Sequence, residues 1–204
     1  MKITLLVIAL GLAITSVTQA AVTITPQVDG LHLTDDNPAL SFTIDYPALV
    51  TGDKKTTYKP SGAPTITDNT VTLTYDGGAQ LLLTIDPAGK VTVKGTNLPS
   101  GTKYVQLRMS LDSDSAATWQ FGSAKPQPFP TQKPPQPHLY QGNDTSFGLR
   151  ASDGNGVLII IPEFGYQELT DLEEWGTKGF SWMSLSDYSD DLAFNFQAAP
   201  QVTP

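Results

Sequence analysis

The chain has 204 residues, with 12 Lys and Arg against 20 Asp and Glu, a formal net charge of -8, and no cysteine. Without sulfur donors there is no disulfide scaffold, thiolate metal site or cysteine nucleophile, and an acidic chain whose only arginines are Arg108 and Arg150 is a poor binder of nucleic-acid phosphates. Hydrophobic residues at 39% suffice for a packed core, whereas 17 Gly and 16 Pro are more than long helices tolerate.

The first element is an address. Lys2 supplies a positive charge, residues 3–14 are apolar except for Thr4 and Gly11, and the small side chains of Thr18 and Ala20 follow. This is the pattern of a secretory signal peptide, residues 1–20, cleaved after Ala20. The apolar run is shorter than the roughly 20 residues a membrane-crossing helix needs. The expectation is a secreted protein, extracellular or periplasmic, with no membrane attachment after cleavage.

From residue 21 the apolar pattern has period two. Val22 and Ile24, Leu31 and Leu33, then Leu40, Phe42, Ile44 and Tyr46 each place alternate side chains on one face. The pattern returns at Val71, Leu73 and Tyr75, at Val91 and Val93, and at Val105, Leu107, Met109 and Leu111. Asp76-Gly77-Gly78 joins two such runs where glycine can take the positive φ of a tight turn. Asp86-Pro87-Ala88-Gly89 joins the next pair, with proline setting the first corner. Asp153-Gly154-Asn155-Gly156 stands between 146–151 and 157–162 in the same way. Residues 125–137 carry six prolines and predict an extended crossover on the surface, either a plain connection between sheets or a groove wall displaying Phe129 and His138. The only helix-like stretch, 168–175, is short and acidic and predicts a helical turn or an irregular loop. Short strands without intervening helices predict an all-β fold, an antiparallel β-sandwich of supersandwich or jelly-roll type, as a single domain over residues 21–197. Residues 198–204 read as a disordered tail or the start of a linker to further domains.

The unusual composition lies between residues 118 and 188. It holds all three tryptophans together with Tyr140, Tyr166, His138 and Arg150. Flat rings on a rigid sheet stack on the C–H faces of sugars while polar neighbours take the hydroxyls, so Trp119, Tyr166, Trp175 and Trp182 are the candidate ligand-binding residues. The competing reading for Trp119 and Trp182 is filling between two sheets. Asp35-Asp36-Asn37, Asp112-Ser113-Asp114, Asp153-Gly154-Asn155 and Asp187 with Asp190-Asp191 are oxygen-rich clusters that suit Ca²⁺, although backbone hydrogen bonding in turns accounts for such aspartates equally well. Zinc has no ligand set here, and no GxSxG elbow or phosphate loop occurs.

Glycoside hydrolysis would need Glu163 paired with Glu168, Glu173 or Glu174 at a separation the sequence does not give. A proton-abstracting lyase is the better enzymatic candidate: His138 or Tyr140 as base, and Arg150 or Ca²⁺ as the cation for the charge that develops on a uronate carboxylate. The whole set lies within residues 138–150.

The run Trp119-Gln120-Phe121-Gly122, the proline crossover, His138-Leu139-Tyr140-Gln141-Gly142, Phe147-Gly148-Leu149-Arg150 and the strand 156–162 resemble the N-terminal β-supersandwich of secreted polysaccharide lyases, those acting on rhamnogalacturonan in particular. The likeness covers residues 70 to 185 or so. It implies a galactose mutarotase-like sandwich followed, in those families, by smaller glycan-binding domains. Three functions are therefore in view: a secreted module that binds a polysaccharide or oligosaccharide, a lyase of uronic-acid glycans, and a structural or adhesive surface domain without ligand.

Overall fold

A computed structural model describes residues 22–34, 41–111, 117–132, 134–151, 156–161, 165–172 and 179–199. Residues 1–20, expected to be a signal peptide, and residues 200–204 of the expected tail lie outside them.

The fold is a sandwich of two antiparallel sheets, with nine strands in each among the described residues. Sheet A begins with β1 (Thr23–Gln27), β2 (Gly30–Thr34), β3 (Ser41–Ile44), β4 (Ala48–Thr51) and β5 (Thr57–Tyr58). Sheet B takes the next four, β6 (Thr65–Thr67), β7 (Thr70–Thr74), β8 (Gln80–Ile85) and β9 (Lys90–Thr96). Thereafter the chain alternates between the layers. The long β10 (Thr102–Leu111) is in A, β11 (Thr118–Phe121) and β12 (Gln127–Pro128) are in B, and β13 (His138–Gly142) is in A. Then β14 (Ser146–Arg150) and β15 (Gly156–Ile160) lie in B, β16 (Tyr166–Asp171) and β17 (Phe180–Asp187) in A, and β18 (Ala193–Ala198) in B. Sheet A runs β1-β2-β3-β10-β17-β16-β13, with β4 also paired to β10 and β5 to β4, and sheet B runs β12-β11-β14-β15-β18-β9-β8-β7-β6.

The period-two residues do what their spacing predicts. Leu31, Leu33, Phe42 and Ile44 are buried in sheet A, as are Val105, Leu107, Met109 and Leu111 on β10. Val71, Leu73, Val91 and Val93 face them from sheet B. The layers interlock through rings: Phe147 of β14 stacks on Trp182 of β17 at 5.2 Å and 7°. Tyr75 beyond β7 sends its hydroxyl 2.6 Å to the carbonyl of Pro47 in the other layer.

The turn chemistry is also as expected. Asp86 Oδ1 accepts from the N–H groups of Ala88 and Lys90 at 2.9 and 2.8 Å, and Gly89 takes φ +81°. A β-carbon at Gly89 would lie 2.2 Å from the Phe196 carbonyl oxygen, so strand β18 presses directly on this turn. The proline segment is a crossover from the edge of sheet B to the edge of sheet A, and β12 within it pairs only with β11, an edge position that proline tolerates. Phe129 does not stand along a groove. It is buried, its ring 4.5 Å from that of Phe180, and so pins the crossover to the core.

One expectation is overturned. Residues 168–171 are neither helix nor loop but part of β16, paired along its length with β17. Its acidic composition conceals a strand whose inward positions are Gln167, Leu169 and Asp171, all buried. The polar inward residues are accommodated by hydrogen bonds. Trp182 Nε1–H donates to Gln167 Oε1 at 2.9 Å, and Gln167 Nε2–H donates to the Asp144 carbonyl at 2.5 Å.

Candidate functional site

Alternation along three adjacent strands builds the outer face of sheet A. With Val105, Leu107 and Met109 turned inward, β10 presents Tyr104, Gln106 and Arg108. With Trp182 and Ser184 inward, β17 presents Ser181 and Met183, and β16 presents Tyr166, Glu168 and Thr170. The register aligns them in rows. Arg108 lies opposite Met183, which lies opposite Glu168. In the next row Ser181 is flanked by Ser110 and by Thr170, and Thr170 pairs with His138 on β13.

These rows enclose a depression of about 360 Å³ lined by Arg108, Met183, Ser181, Glu168, Thr170 and His138. A second depression of about 450 Å³ adjoins it on the β4 side, lined by Gln106, Tyr46, Asp45 and Lys59, and again by Arg108. Arg108 therefore stands at the junction of a trough that runs across the strands. Further along the same face, Lys54 Nζ sits 5.5 Å from the centre of the Tyr104 ring and 5.6 Å from that of Tyr166.

The carboxylate of Glu168 is fully engaged on its own side of the trough. Oε1 accepts from His138 Nδ1 at 2.7 Å and from Thr170 Oγ1 at 2.8 Å, and Oε2 accepts from the Tyr166 hydroxyl at 3.1 Å. The acceptor at Nδ1 places the imidazole proton there and leaves Nε2 as the open nitrogen, on a side chain 41% exposed. Across the depression, the Arg108 guanidinium forms no ion pair among the described residues. Burial pushes the Asp45 carboxyl above its usual range, an effect that the charges of Arg108 and Lys59 partly offset.

The sequence candidates scatter. His138 and Tyr166 lie on this face. Tyr140 does not, because a register shift between His138 and Tyr140 turns the ring inward, where it stacks on Phe121 at 3.7 Å and donates its hydroxyl to Asp144. Burial, reinforced by the bond to Asp144, pushes its phenol up to about 12, so it is a poor base. Arg150 is on β14 of sheet B, next to the inward-facing Leu149 and hence on the opposite outer face. The three residues proposed for lyase chemistry are not brought together.

Trp182, expected among the ligand-contacting rings, is sealed in the core with no exposed surface. Trp119 is half-buried against Phe121, 5.9 Å between rings, and its indole N–H finds no partner among the described residues. Trp175, Glu163, Glu173 and Glu174 lie outside the described residues, as do the aspartate clusters near 35, 112 and 153. Among the described residues no group of three His, Asp or Glu is placed to hold a metal ion such as Ca²⁺.

Arg108 and Glu168 are the trough residues that the sequence does not join. Arg108 was visible as a polar position in an alternating strand. That its neighbour is β17, 75 residues further on at Met183, was not.

No protein-family model matches this chain, and no curated protein matches it. Among solved structures, a GH31 family sulfoquinovosidase from E. rectale, determined in complex with an aza-sugar inhibitor, is similar at 8% identity and a TM-score of 0.41. The similarity covers 89% of this chain and 27% of that one, so the chain spans about a quarter of that enzyme. Nothing about activity transfers from a likeness at that level.

Proposed function

We propose that this protein is a secreted carbohydrate-binding β-sandwich that receives a saccharide chain across the outer face of sheet A. One observation carries the reading: two adjoining depressions meet at Arg108, with Tyr46 lining one and Tyr166 bonded to Glu168 at the edge of the other. Aromatic faces and hydrogen-bonding polar groups on a rigid sheet are the two things a sugar surface needs. From β4 to β13 the trough crosses four inter-strand spacings, about 19 Å, which suits an extended ligand of several units. Export rests on the apolar leader of residues 3–14. Calorimetric titration with pectic, alginate, galactan and cellulose oligosaccharides tests the proposal. Binding that Tyr166→Ala weakens is expected, and absence of heat with every one of them overturns it.

A second reading, a polysaccharide lyase, draws support from the His138–Glu168 contact and from the resemblance of residues 70 to 185 to the lyase supersandwich. His138 Nε2, oriented by Glu168 through the other ring nitrogen, would take the proton from the carbon beside a uronate carboxylate. The electron pair left behind forms a carbon–carbon double bond and expels the glycosidic oxygen on the adjacent carbon, which takes a proton from water as it leaves. The base proposed here is His138 alone of the earlier trio, with Arg108 in place of Arg150. Near-ultraviolet absorbance of the unsaturated product, lost in Glu168→Gln and His138→Ala, is the expected result. No absorbance rise on any uronic-acid polymer, with or without Ca²⁺, removes this reading.

A further inference from the structure

We infer that the ligand of the trough is an acidic polysaccharide gripped in mid-chain, with one of its oxyanions, a carboxylate or a sulfate ester, seated on Arg108. The inference rests on the saccharide reading and is independent of whether bond cleavage follows.

The carboxylates around the guanidinium are engaged elsewhere or unpaired with it. Glu168, the carboxylate two strands away in the same row, is occupied by His138, Thr170 and Tyr166. Asp29, on the rim of the other depression, is bonded to His32 at 2.9 Å. Asp45 shares that depression with Arg108 and Lys59 but makes no ion pair with either among the described residues. The guanidinium thus has five N–H donors in a fixed fork, an exposed position and no ion-paired carboxylate, which is the arrangement that receives a planar oxyanion through two parallel bonds. Lys59, in the same depression as Arg108, adds a second positive charge on the β4 side.

The placement of Arg108 decides the rest. A terminal acid would call for a cation at one closed end of a groove. Here the cation is shared by both depressions, so neighbouring sugar units extend in two directions from the charged one. The chain as a whole is acidic, with a net charge of -8. Attraction of a polyanion must therefore come from this local site, and single cations elsewhere contribute little to it.

The test uses the full chain and calorimetric titration at fixed ionic strength with galacturonate oligomers of one to six units, sulfated galactan oligomers, and neutral galactan oligomers of matched length. Affinity is expected to rise with length and then level off. Arg108→Ala is expected to lose about ten- to a hundredfold, the range for charge-assisted hydrogen bonds, and Arg108→Lys to lose less. Arg150→Ala removes the same charge from the opposite face and should leave binding unchanged. Near-ultraviolet circular dichroism confirms that each variant is folded.

Binding confined to sulfated oligomers supports the site and assigns the oxyanion to sulfate. Equal binding of neutral and acidic oligomers, unaffected by Arg108→Ala, overturns the anion subsite while the saccharide reading stands. Equal losses in Arg108→Ala and Arg150→Ala overturn it as well, since net charge would then explain the effect. A monosaccharide acid that binds as tightly as the hexamer overturns the mid-chain placement. If no oligosaccharide of any charge binds, the saccharide reading itself has failed.

Discussion

Tyr140 shows how a single side chain couples the rim of the sandwich to its interior. Its phenol, pushed up to about 12 from an ordinary 10.0, ionises less readily in the fold than in the unfolded chain, chiefly through burial. The fold thus favours the neutral form, and the stabilisation is complete below about pH 10 and lost as pH climbs through 12. Tyr46, whose hydroxyl donates to the Gln27 carbonyl, is likewise raised to about 12. Spectrophotometric titration should show tyrosines that ionise only as alkaline unfolding sets in, and Tyr140→Phe should remove one of them. Trp182 offers a different test. Its ring lies against Phe147 and its N–H bonds to Gln167, so Trp182→Ala leaves both a cavity and an unpartnered amide. A loss of about 3–5 kcal/mol in urea denaturation is expected.

At the level of elements, the proline crossover is pinned to the core by the buried ring of Phe129, beside its pairing with β11. Phe129→Ala removes its contact with Phe180, and faster proteolytic nicking between residues 125 and 137 than in the native protein is expected. Most strands are legible in the sequence, because the inward residues of β7, β9 and β10 alternate, and β7, β8 and β9 are joined by Asp-Gly and Asp-Pro turns whose chemistry is local. Strands β16 and β17 were not, for a physical reason. Their inward positions include Gln167, Ser184 and Ser186, which are fully buried. Buried polar side chains break the simple hydrophobic pattern: Gln167 is bonded to Trp182 and Asp144, whereas the Ser184 and Ser186 hydroxyls find no partner among the described residues. The site suffered most from this. His138 was singled out as a lone imidazole, but its partner Glu168 stood in a stretch read as a helical turn, and Arg108 lay in a strand whose neighbours only the fold reveals. The bulge between His138 and Tyr140 sends two residues of one strand to opposite faces, which strict alternation would have kept together.

Across the whole molecule, one hydrophobic cluster draws on both sheets, and Trp182 and Phe147 meet at its centre. Neither layer can loosen without exposing the other. Urea unfolding followed by tryptophan emission and by far-ultraviolet circular dichroism should therefore give superimposable curves, and two separated transitions would show that the layers melt independently.

The strand order carries a consequence for synthesis. β18 is the single link between β15 and β9 in sheet B, and β17 joins β10 to β16 in sheet A. A nascent chain that has emerged only as far as residue 179 thus holds two divided layers, and both gaps close only once β17 and β18 have emerged as well. Each layer is therefore completed only after β17 and β18 join it, in whatever order the earlier strands pair.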